Sequence, residues 1–314
     1  MAVVSVNIPV YNGRDYLAET INSVLSQTFV DFEVIIVDDG SSDNPGEIIK
    51  NFKDSRIKYF YQNNQGIGAA RNAALKNSHG DFIAFLDQDD LWLPEKLEKQ
   101  MLLFRRNPGL GLVFCDTKFF NKQGEICRLY SKLKPPRGLI FRDLLRRNFL
   151  SLETVLINRK ALDEVGIFKP HMMMVEEYDL FLRITHRFPA DYVDEPLAAY
   201  RIHEKNYSWG KETLSLSEER EVLIYFKSNY PGFEIEFQKE IAVKERSLLM
   251  LEAFLSWKKG ENEKAYTIFK KIAKSSPGIK IAVLLVLSRL LNFSIFKVLI
   301  KFFPGARKNQ FLLN

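Results

Sequence analysis

Acidic residues in the first hundred positions follow directly on short apolar, β-branched runs. Asp38 and Asp39 come after the run 33–37, and the segment 87–90 (DQDD) comes after the run 82–86. Such runs are typical of strands buried on both faces of a parallel sheet. The carboxyl ends of these strands meet at one edge, where ligands bind in open α/β sheets. We therefore expect five carboxylates to lie close together at that edge.

These carboxylates repel one another unless a cation or the donors of a ligand compensate their charge. Oxygen ligands favour Mg²⁺ or Mn²⁺, and such an ion binds a phosphate-bearing substrate through one or two carboxylates. The alternative is that each acidic group caps the following helix or marks a turn. Their joint placement after successive strands favours a cation site beside a phosphate-bearing ligand.

A second acidic cluster lies in the segment 175–183 (VEEYDLFLR). Its apolar residues recur at helical spacing, which places Glu176, Glu177 and Asp179 in the first turn of a helix. Acidic residues in this position are stabilised by the helix dipole, which is the structural interpretation. The functional interpretation is a general base for an acceptor hydroxyl, whose carboxylate needs a raised pKa.

The elements that position these residues alternate regularly along the first hundred positions. Strand signals, separated by helical patterns, occur at 3–10, 33–37, 57–61 and 82–86. One helix is expected to begin with Asn44 as N-cap, Pro45 in the first turn and Glu47 closing a capping box. Another is expected to end at Gly80. The alternation predicts an α/β fold, an open sheet with right-handed crossovers.

The pattern loosens beyond residue 100. Further strands are predicted at 110–115 and 154–157, and a short helix at 161–166. Residues 121–150 are rich in Lys, Arg, Pro and Gly, which indicates a surface excursion. From about Glu212 onward only helical patterns occur, so a helical region is expected to follow the sheet.

The composition is that of a folded globular protein, with 46% hydrophobic and 27% charged residues in a chain of 314. The two cysteines exclude a disulfide framework and a cysteine-rich zinc module, and they favour a reducing cytoplasm. The first residues, MAVVSVNIPV, predict a strand and not a signal peptide.

The net charge of +6 is unevenly distributed. The stretch 270–308 is almost purely basic and rich in Leu, Ile and Phe, and no apolar run in it reaches the ~18 residues of a spanning helix. Arg289, Lys297 and Lys301 fall on roughly one helical side, which favours an anionic membrane surface over nucleic acid as the partner. The alternative is a core helix or a subunit contact in an oligomer.

Five segments, in this order, resemble family 2 glycosyltransferases. They are 6–12 (VNIPVYN), 23–27 (SVLSQ), 37–43 (VDDGSSD), 66–72 (GIGAARN) and 85–90 (FLDQDD). The resemblance is close over residues 1–100 and extends loosely to about residue 209. It implies a GT-A fold, the Rossmann-like open sheet of nucleotide-diphospho-sugar transferases.

The resemblance also implies a domain organisation. A GT-A catalytic domain is expected over residues 1–210, with a nucleotide-binding half at 1–100 and an acceptor-binding half at 101–210. Residues 211–314 form the helical C-terminal region, which is the candidate for membrane association.

The donor-binding residues carried over from the family are Pro9, Val10, Tyr11, Asn12, Asp39, Arg71, Asp87, Gln88 and Arg201. The first three would line the nucleoside pocket. Asp39 would hydrogen-bond the base, Arg71 would approach the nucleotide, and Asp87 would sit by the ribose. Asp89 would hold the divalent metal, Mg²⁺ or Mn²⁺, that bridges the diphosphate.

Two further motifs carry family roles. The second acidic cluster usually reads Glu-Asp in the family, with the second residue as the base. Here that position is Glu177, one methylene longer, so Asp179 and Glu176 stay open as alternates. In the motif 200–203 (YRIH), Arg201 would contact the diphosphate and His203 the metal, and a capped surface turn is the alternative.

The leading interpretation is an inverting, metal-dependent hexosyltransferase. It would move a sugar from a nucleoside diphosphate donor, with UDP preferred, to a glycan or lipid-linked glycan acceptor in surface glycan or polysaccharide assembly. The Gln-x-x-Arg-Trp motif of processive members does not occur, so single additions are expected. The alternatives are a non-catalytic nucleotide-sugar-binding or scaffold protein and a nucleotidyltransferase. The segment 176–179 argues against the first, and the lack of a glycine-rich, basic loop after the first strand argues against the second.

Overall fold

Four parallel strands in the order β3-β2-β1-β4 form the half of the sheet that carries the predicted acidic edge. A computed structural model describes residues 3–131, 134–206, 210–275, 278–291 and 293. These strands are β1 (Val4–Val10), β2 (Phe32–Asp39), β3 (Ile57–Gln62) and β4 (Phe82–Phe85). The helices that connect them are α1 (Arg14–Leu25), α2 (Pro45–Lys50) and α3 (Ile67–Asn77).

The apolar runs predicted as strands do form this half of the sheet. Every residue of β1 and β2 is buried, because these strands lie in the middle of the sheet with helices packed against them. Leu17, Ile21 and Val24 of α1 are fully buried in the same core. The parallel register pairs Val10 with Asp38, so the residues that follow β1 and β2 emerge side by side.

The second half of the sheet is mixed. Beyond β4, strand β8 runs antiparallel to both β4 and β6, β6 pairs in parallel with β9, and β5 and β7 pair antiparallel with β9 and β6. The strands are β5 (Leu91–Trp92), β6 (Leu112–Asn121), β7 (Gly124–Arg128), β8 (Leu156–Asn158) and β9 (Ala190–Arg201). The helices are α4 (Lys96–Arg106), α5 (Phe141–Arg146), a 3₁₀ turn (Leu152–Thr154), α6 (Arg159–Val165) and α7 (Glu176–Arg187).

Helix α2 begins at Pro45 with Asn44 in the N-cap position, as predicted, but the predicted capping box and the predicted end of α3 are wrong. Asn44 has φ 55° and its side chain caps nothing, and Glu47 accepts a hydrogen bond from Arg14 at 2.9 Å instead of closing a capping box. Helix α3 ends at Asn77, before Gly80. A Cβ on Gly80 would lie 2.6 Å from the backbone nitrogen of Ser5, so this glycine permits close packing on β1.

The region 121–150 is more regular than the predicted surface excursion. It contains the β6–β7 hairpin and helix α5, whose Leu144 and Leu145 are buried. The strand predicted at 154–157 begins only at Leu156, because residues 152–154 form the 3₁₀ turn.

The chain separates into two units, Met1–Tyr207 and Ser208–Asn314. The second unit consists, where it is described, of helices α8 (Glu212–Asn229), α9 (Phe233–Glu236), α10 (Gln238–Lys258), α11 (Asn262–Ser275) and α12 (Ile279–Leu290). Its core is built around Trp257 and Phe269. No helix among the described residues is long and apolar enough to cross a membrane. Lys297 and Lys301, predicted to face an anionic surface, lie outside the described residues.

A buried carboxylate, Glu33 of β2, ties the start of the sheet together. It accepts hydrogen bonds from the Ser5 hydroxyl at 2.7 Å, the His79 amide at 2.6 Å and the Lys58 ammonium at 2.8 Å. Burial alone raises the pKa of Glu33, but the hydrogen bonds from Lys58, Ser5 and His79 outweigh it and lower the pKa to about 2.

Glu33→Gln is expected to lower the free energy of unfolding at pH 7 by about 1–3 kcal/mol, the scale of hydrogen bonds to a charged group. Because the folded pKa is depressed from 4.5 to about 2, this stabilisation is fully present above pH 4.5 and is lost as the pH falls through 2. Denaturant titrations of both proteins across this range test it. Glu47→Gln, which removes an exposed ion pair, is the control and should change stability little. A constant difference between pH 7 and pH 2 would contradict the charge-based account.

Candidate active site

The loop after β1 is held by the side chain of Gln88. The Gln88 amide accepts from the Tyr11 nitrogen at 2.8 Å and donates to the Tyr11 carbonyl at 3.0 Å, as a neighbouring strand would. A Cβ on Gly13 would lie 2.0 Å from Gln88 Oε1, so a larger residue here would displace the Gln88 side chain. Pro9 and Val10 are buried in β1, whereas the Tyr11 side chain is 51% exposed. Tyr11 is therefore the side chain of this group that a ligand can reach.

Asn12 links the loop after β1 to the loop after β2. It adopts left-handed backbone geometry with φ 52°, which asparagine tolerates better than most residues. Its nitrogen donates to the Ser41 hydroxyl at 3.0 Å, and its Oδ1 accepts from the Ser42 nitrogen at 2.8 Å. The two loops thus form one continuous surface at the carboxyl edge of the sheet.

Asp38 and Asp39 both turn inward at the end of β2, and each organises the chain around it. Asp38 accepts from the Ser41 nitrogen at 2.9 Å and the Tyr59 hydroxyl at 2.8 Å. Burial, together with the bond to Asp38, raises the pKa of Tyr59 to about 12.

Asp39 holds the loop that leads into α3. Its Oδ1 accepts from the Gln62 amide at 2.6 Å and the Gln65 nitrogen at 2.9 Å, and its Oδ2 accepts from the Gly66 nitrogen at 2.8 Å. Three of the roughly four acceptor positions of a carboxylate are therefore filled by the protein itself.

The segment 87–90 brings three carboxylates together. Asp87 is partly exposed and accepts from Arg71 Nη2 at 2.9 Å. Asp89 Oδ2 lies 2.8 Å from His203 Nε2. Asp90 is buried and accepts from the Arg201 nitrogen at 2.8 Å.

Burial raises the pKa of Asp89, and the charge of Asp87 adds to the shift, whereas the bond with His203 opposes it. Burial also raises the pKa of Asp90 well above its usual range, with the charge of Glu153 as the next cause. These carboxyl groups therefore lie in a strongly negative environment.

The motif at the end of β9 meets this acidic segment. Arg201 Nε donates to the Asp89 carbonyl at 2.8 Å and Nη2 to Glu19 at 2.7 Å. Its guanidinium lies 4.6 Å from the ring centre of Tyr16 and 4.7 Å from that of Phe120. The structure thus brings Asp89 together with Arg201 and His203, which lie more than a hundred residues after it in the chain.

Asp89 and His203 are the pair best suited to a divalent ion. No group of three or more His, Cys, Asp or Glu side chains with metal-binding geometry occurs in the part of the chain that the structure describes. Mg²⁺ is commonly held by one or two protein ligands while substrate phosphates and water complete its shell. One carboxylate and one imidazole, 2.8 Å apart, fit an ion that shares its coordination with a diphosphate.

The three acidic residues in the first turn of α7 have different surroundings. Asp179 is completely buried and accepts from Lys169 Nζ at 2.7 Å and Arg183 Nε at 2.9 Å. Arg183 also donates to the carbonyls of Val165 and Ile167 at 2.6 and 2.8 Å. Asp179 therefore anchors the loop before α7.

Glu176 and Glu177 differ although they are neighbours. Glu176 is buried and ion-paired with Arg71. Burial raises the pKa of Glu177 to about 8, and the charge of Glu176 adds to this while that of Arg71 opposes it. A carboxyl group with this pKa is suited to general base chemistry near neutral pH.

Two residues of the site escaped the sequence analysis. Glu153, in the 3₁₀ turn, is buried, accepts from the Ser151 hydroxyl at 2.6 Å, and contributes to the raised pKa of Asp90. No sequence pattern distinguishes Glu153, because a single acidic residue before a short strand is common. Asn72 lies within the quoted segment 66–72 but received no role there, and it hydrogen-bonds both backbone groups of Phe168.

Comparison with known proteins gives matches along most of the first unit. A family model described as "Glycosyl transferase family 2" matches residues 5–166. The chain is 32% identical over 237 residues to "Putative teichuronic acid biosynthesis glycosyltransferase TuaG" of Bacillus subtilis, covering 73% of this chain and 92% of that protein.

Two other relatives are a glucosyltransferase with a named donor and acceptor and an uncharacterized glycosyltransferase. The chain is 33% identical over 183 residues to the UDP-Glc:alpha-D-GlcNAc-diphosphoundecaprenol beta-1,3-glucosyltransferase WfgD of Escherichia coli, covering 58% of this chain and 69% of that protein. It is 33% identical over 231 residues to an uncharacterized glycosyltransferase of Rickettsia conorii. That match covers 70% of this chain but only 37% of the Rickettsia protein, which is much longer.

Solved structures share the fold at low sequence identity. The mannosyltransferase PcManGT of Pyrobaculum calidifontis, in complex with GDP-Man and Mn²⁺, superposes with a TM-score of 0.65 at 15% identity, covering 99% of this chain and 84% of that one. S. aureus TarS 1–349 in complex with UDP-GlcNAc gives 0.58 at 19% identity, covering 80% and 81%. The predicted GT-A fold is confirmed. With the family model matched over more than half of its length, the chain belongs to glycosyl transferase family 2, a family of transferase enzymes, as its five motifs implied.

Proposed function

We propose that the chain is an inverting, metal-dependent glycosyltransferase that moves a sugar from a UDP-sugar to an acceptor hydroxyl. The observation that carries the proposal is the position of Glu177. Its carboxyl, with a pKa raised to about 8, follows directly on Glu176, and Glu176 is joined through Arg71 to Asp87 of the predicted donor motif. A base for the acceptor and a donor site thus lie on either side of one ion bridge.

In this proposal Glu177 removes the proton from the acceptor hydroxyl. The hydroxyl oxygen then forms a bond to the anomeric carbon while the bond from that carbon to the diphosphate breaks, and the electron pair leaves with the diphosphate. Asp179 and Glu176 are poor alternates as the base, because buried cations already hold their carboxylates. Glu177 as the single base supports direct displacement with inversion, because that reaction needs one base and no covalent sugar–enzyme intermediate.

The leaving diphosphate needs positive charge. Asp89 and His203 would hold a Mg²⁺ or Mn²⁺ ion, which neutralises charge on the departing group. Arg201, fixed by the Asp89 carbonyl and stacked between two aromatic rings, would add a second cation at the same place.

The nucleoside would lie on the surface formed by the loops after β1 and β2. Asp39 Oδ2 accepts one hydrogen bond from the described residues and has room for a second, from the N3–H of a pyrimidine base. The exposed ring of Tyr11 is available to contact the base, and Asp87 would sit by the ribose. These features favour UDP, and TarS and WfgD, whose names include UDP-GlcNAc and UDP-Glc, support that choice.

The acceptor belongs to the assembly of surface glycans or polysaccharides in this proposal. TuaG is named for teichuronic acid biosynthesis, and the acceptor in the name of WfgD is a sugar linked to a lipid diphosphate. A glycan or a lipid-linked glycan is therefore the acceptor class.

Calorimetry with UDP and CDP tests the donor site and its metal. UDP should bind at least tenfold more tightly than CDP in the presence of Mn²⁺, because uracil has an N3–H that can donate to Asp39, whereas N3 of cytosine carries no hydrogen. Excess EDTA and Asp89→Asn should each weaken UDP binding by a similar amount, and EDTA should then have no further effect on the variant. Asp81→Asn, a substitution in the turn before β4, is the control. Equal binding of UDP and CDP would refute the base pocket, and a full EDTA effect in Asp89→Asn would refute the metal assignment.

The base is tested by Glu177→Gln. The variant should release UDP from UDP-glucose or UDP-N-acetylglucosamine 10²–10⁴ times more slowly, with UDP affinity unchanged, because Glu177 acts on the acceptor. Since a carboxyl with a pKa of about 8 is active only when deprotonated, the wild-type rate should fall as the pH drops below 8 and level off above it.

The control for this test is Glu164→Gln, which changes an exposed carboxylate on α6 and should leave the rate unchanged. Wild-type turnover in Glu177→Gln would show that the base lies elsewhere. A wild-type protein that binds UDP but turns over neither donor would favour the alternative of a non-catalytic nucleotide-sugar-binding protein.

We also propose that the enzyme is cytoplasmic and lies at the inner face of the membrane. Helix α12 exposes Val283 and Val286, with 51% and 54% of their surface accessible, and ends in basic Arg289. A helix that joins apolar surface to positive charge binds anionic membrane interfaces.

Sedimentation with phosphatidylglycerol vesicles tests this location. The protein should sediment with vesicles at low salt and stay in the supernatant at 1 M salt, where the Debye length shrinks to about 3 Å. Val283→Ser with Val286→Ser should weaken the association severalfold, whereas Val30→Ser, at a 71% exposed site in the first unit, should not. A wild-type protein that stays in the supernatant with anionic vesicles at low salt would refute the membrane proposal.

A further inference from the structure

One face of helix α3 packs against the segment that leads into α7. A Cβ on Gly68 would lie 3.3 Å from the Lys169 carbonyl oxygen and from Pro170 Cα, so the small residue allows the two backbones to approach. Asn72 Nδ2 donates to the Phe168 carbonyl at 2.9 Å, and Asn72 Oδ1 accepts from the Phe168 nitrogen at 3.1 Å. The segment 168–170 is therefore fixed to α3 through its own backbone.

Arg71 lies on this same face, between Gly68 and Asn72 in the chain. Nη2 donates to Asp87 Oδ1 at 2.9 Å and Nη1 donates to Glu176. The guanidinium also lies 5.6 Å from the ring centre of Phe168. One planar cation thus joins the acidic segment after β4 to the first turn of α7.

Arg71 is almost completely buried, with only 4% of its surface exposed, and its two terminal nitrogens are engaged by carboxylates. A guanidinium has the fork geometry that allows it to bind two carboxylates at once, whereas an ammonium binds as a compact point charge. The family resemblance implied a nucleotide-binding role for Arg71, and these contacts indicate a different one.

The charges of Glu176, Arg71 and Asp87 all affect the pKa of Glu177. Glu176 precedes it in the chain and raises its pKa, Arg71 lowers it, and Asp87 raises it. Loss of the Glu176 charge should therefore lower the pKa of Glu177.

We propose that Arg71 is a positioning residue for sugar transfer, which bridges Asp87 to Glu176 and thereby fixes Glu177 relative to the bound donor without contacting the nucleotide. The inference rests on the proposed transferase function and adds a residue that acts through two carboxylates. A displacement of about 1 Å at a reacting group can cost a hundredfold in rate. The bridge matters because Glu177 and the donor motif lie on separate elements.

The test is Arg71→Lys, which keeps the charge and loses the two-armed geometry. UDP release from UDP-glucose or UDP-N-acetylglucosamine should show kcat reduced ten- to hundredfold, while KM for the donor and the calorimetric Kd for UDP stay within twofold. Arg56→Lys, which alters an arginine paired with Asp54 in the loop before β3, is the matched control and should change none of these.

Glu176→Gln completes the test. It should lower kcat to a similar extent, and the double variant Arg71→Lys with Glu176→Gln should be no slower than the slower single variant, because both changes break one bridge. In Glu176→Gln the midpoint of the acid limb of the kcat–pH profile should move to lower pH. A merely structural arginine would not produce this combination of unchanged KM, non-additivity and a shifted midpoint.

Several outcomes would overturn the inference. A tenfold or greater loss of UDP affinity in Arg71→Lys, with kcat retained, would make Arg71 a nucleotide ligand. If Arg71→Lys does not fold, Asn72→Ala takes its place and must lower kcat without changing UDP affinity, and an unchanged kcat would refute the positioning role of this face. A wild-type protein that binds no nucleoside diphosphate overturns the transferase proposal, and this inference with it. A failure of the transferase proposal can be told apart from a failure of this inference, because it is seen in the wild-type protein and not only in the variants.

Discussion

The compensation of buried carboxylates is the constraint on which the first unit depends. A carboxylate removed from water must receive hydrogen bonds or a cation, or else its pKa rises. Asp39 receives an amide side chain and two backbone nitrogens, Asp179 receives Lys169 and Arg183, and Glu176 receives Arg71. Each of these bonds also fixes a loop or a helix end. The carboxylates that hold the fold together are therefore already engaged by donors and cations of the protein itself.

Other buried carboxyl groups have fewer compensating partners, and the proposed chemistry uses two of them, Glu177 and Asp89. Burial raises the pKa of Glu177 to about 8, and it also raises the pKa of Asp89, Asp90 and Glu153 from their ordinary values. A raised pKa in a cleft indicates a functional group when a specific partner is also present. His203 is that partner for Asp89, and the Arg71–Glu176 pair stands beside Glu177. In the proposed mechanism, Glu177 is therefore the reactive acid of the first turn of α7, whereas Glu176 and Asp179 have structural roles.

The sequence could predict the parallel half of the sheet because its information is local. The runs that became β1 and β2 are apolar at every position that must be buried, and no long-range partner is needed to recognise them. The capping box at Glu47 failed for the opposite reason, since Arg14, more than thirty residues earlier, competes for the carboxylate. The same limit applies to the choice among the acids of α7. Spacing places all three in one turn, and only the positions of Lys169, Arg183 and Arg71 distinguish them.

The segment 66–72 shows how one short motif can join two acidic clusters of the chain. Its glycine permits a close approach of backbones, its asparagine satisfies both backbone groups of Phe168, and its arginine joins two carboxylates from different elements. Each residue type is required by a different physical demand, and all three demands are met on one face of α3. The desolvation cost of burying this arginine is offset only while both carboxylates stay charged and in contact with it. If Asp87 contacts the donor and Glu177 is the base, as proposed, a single cation on α3 links the donor site to the base.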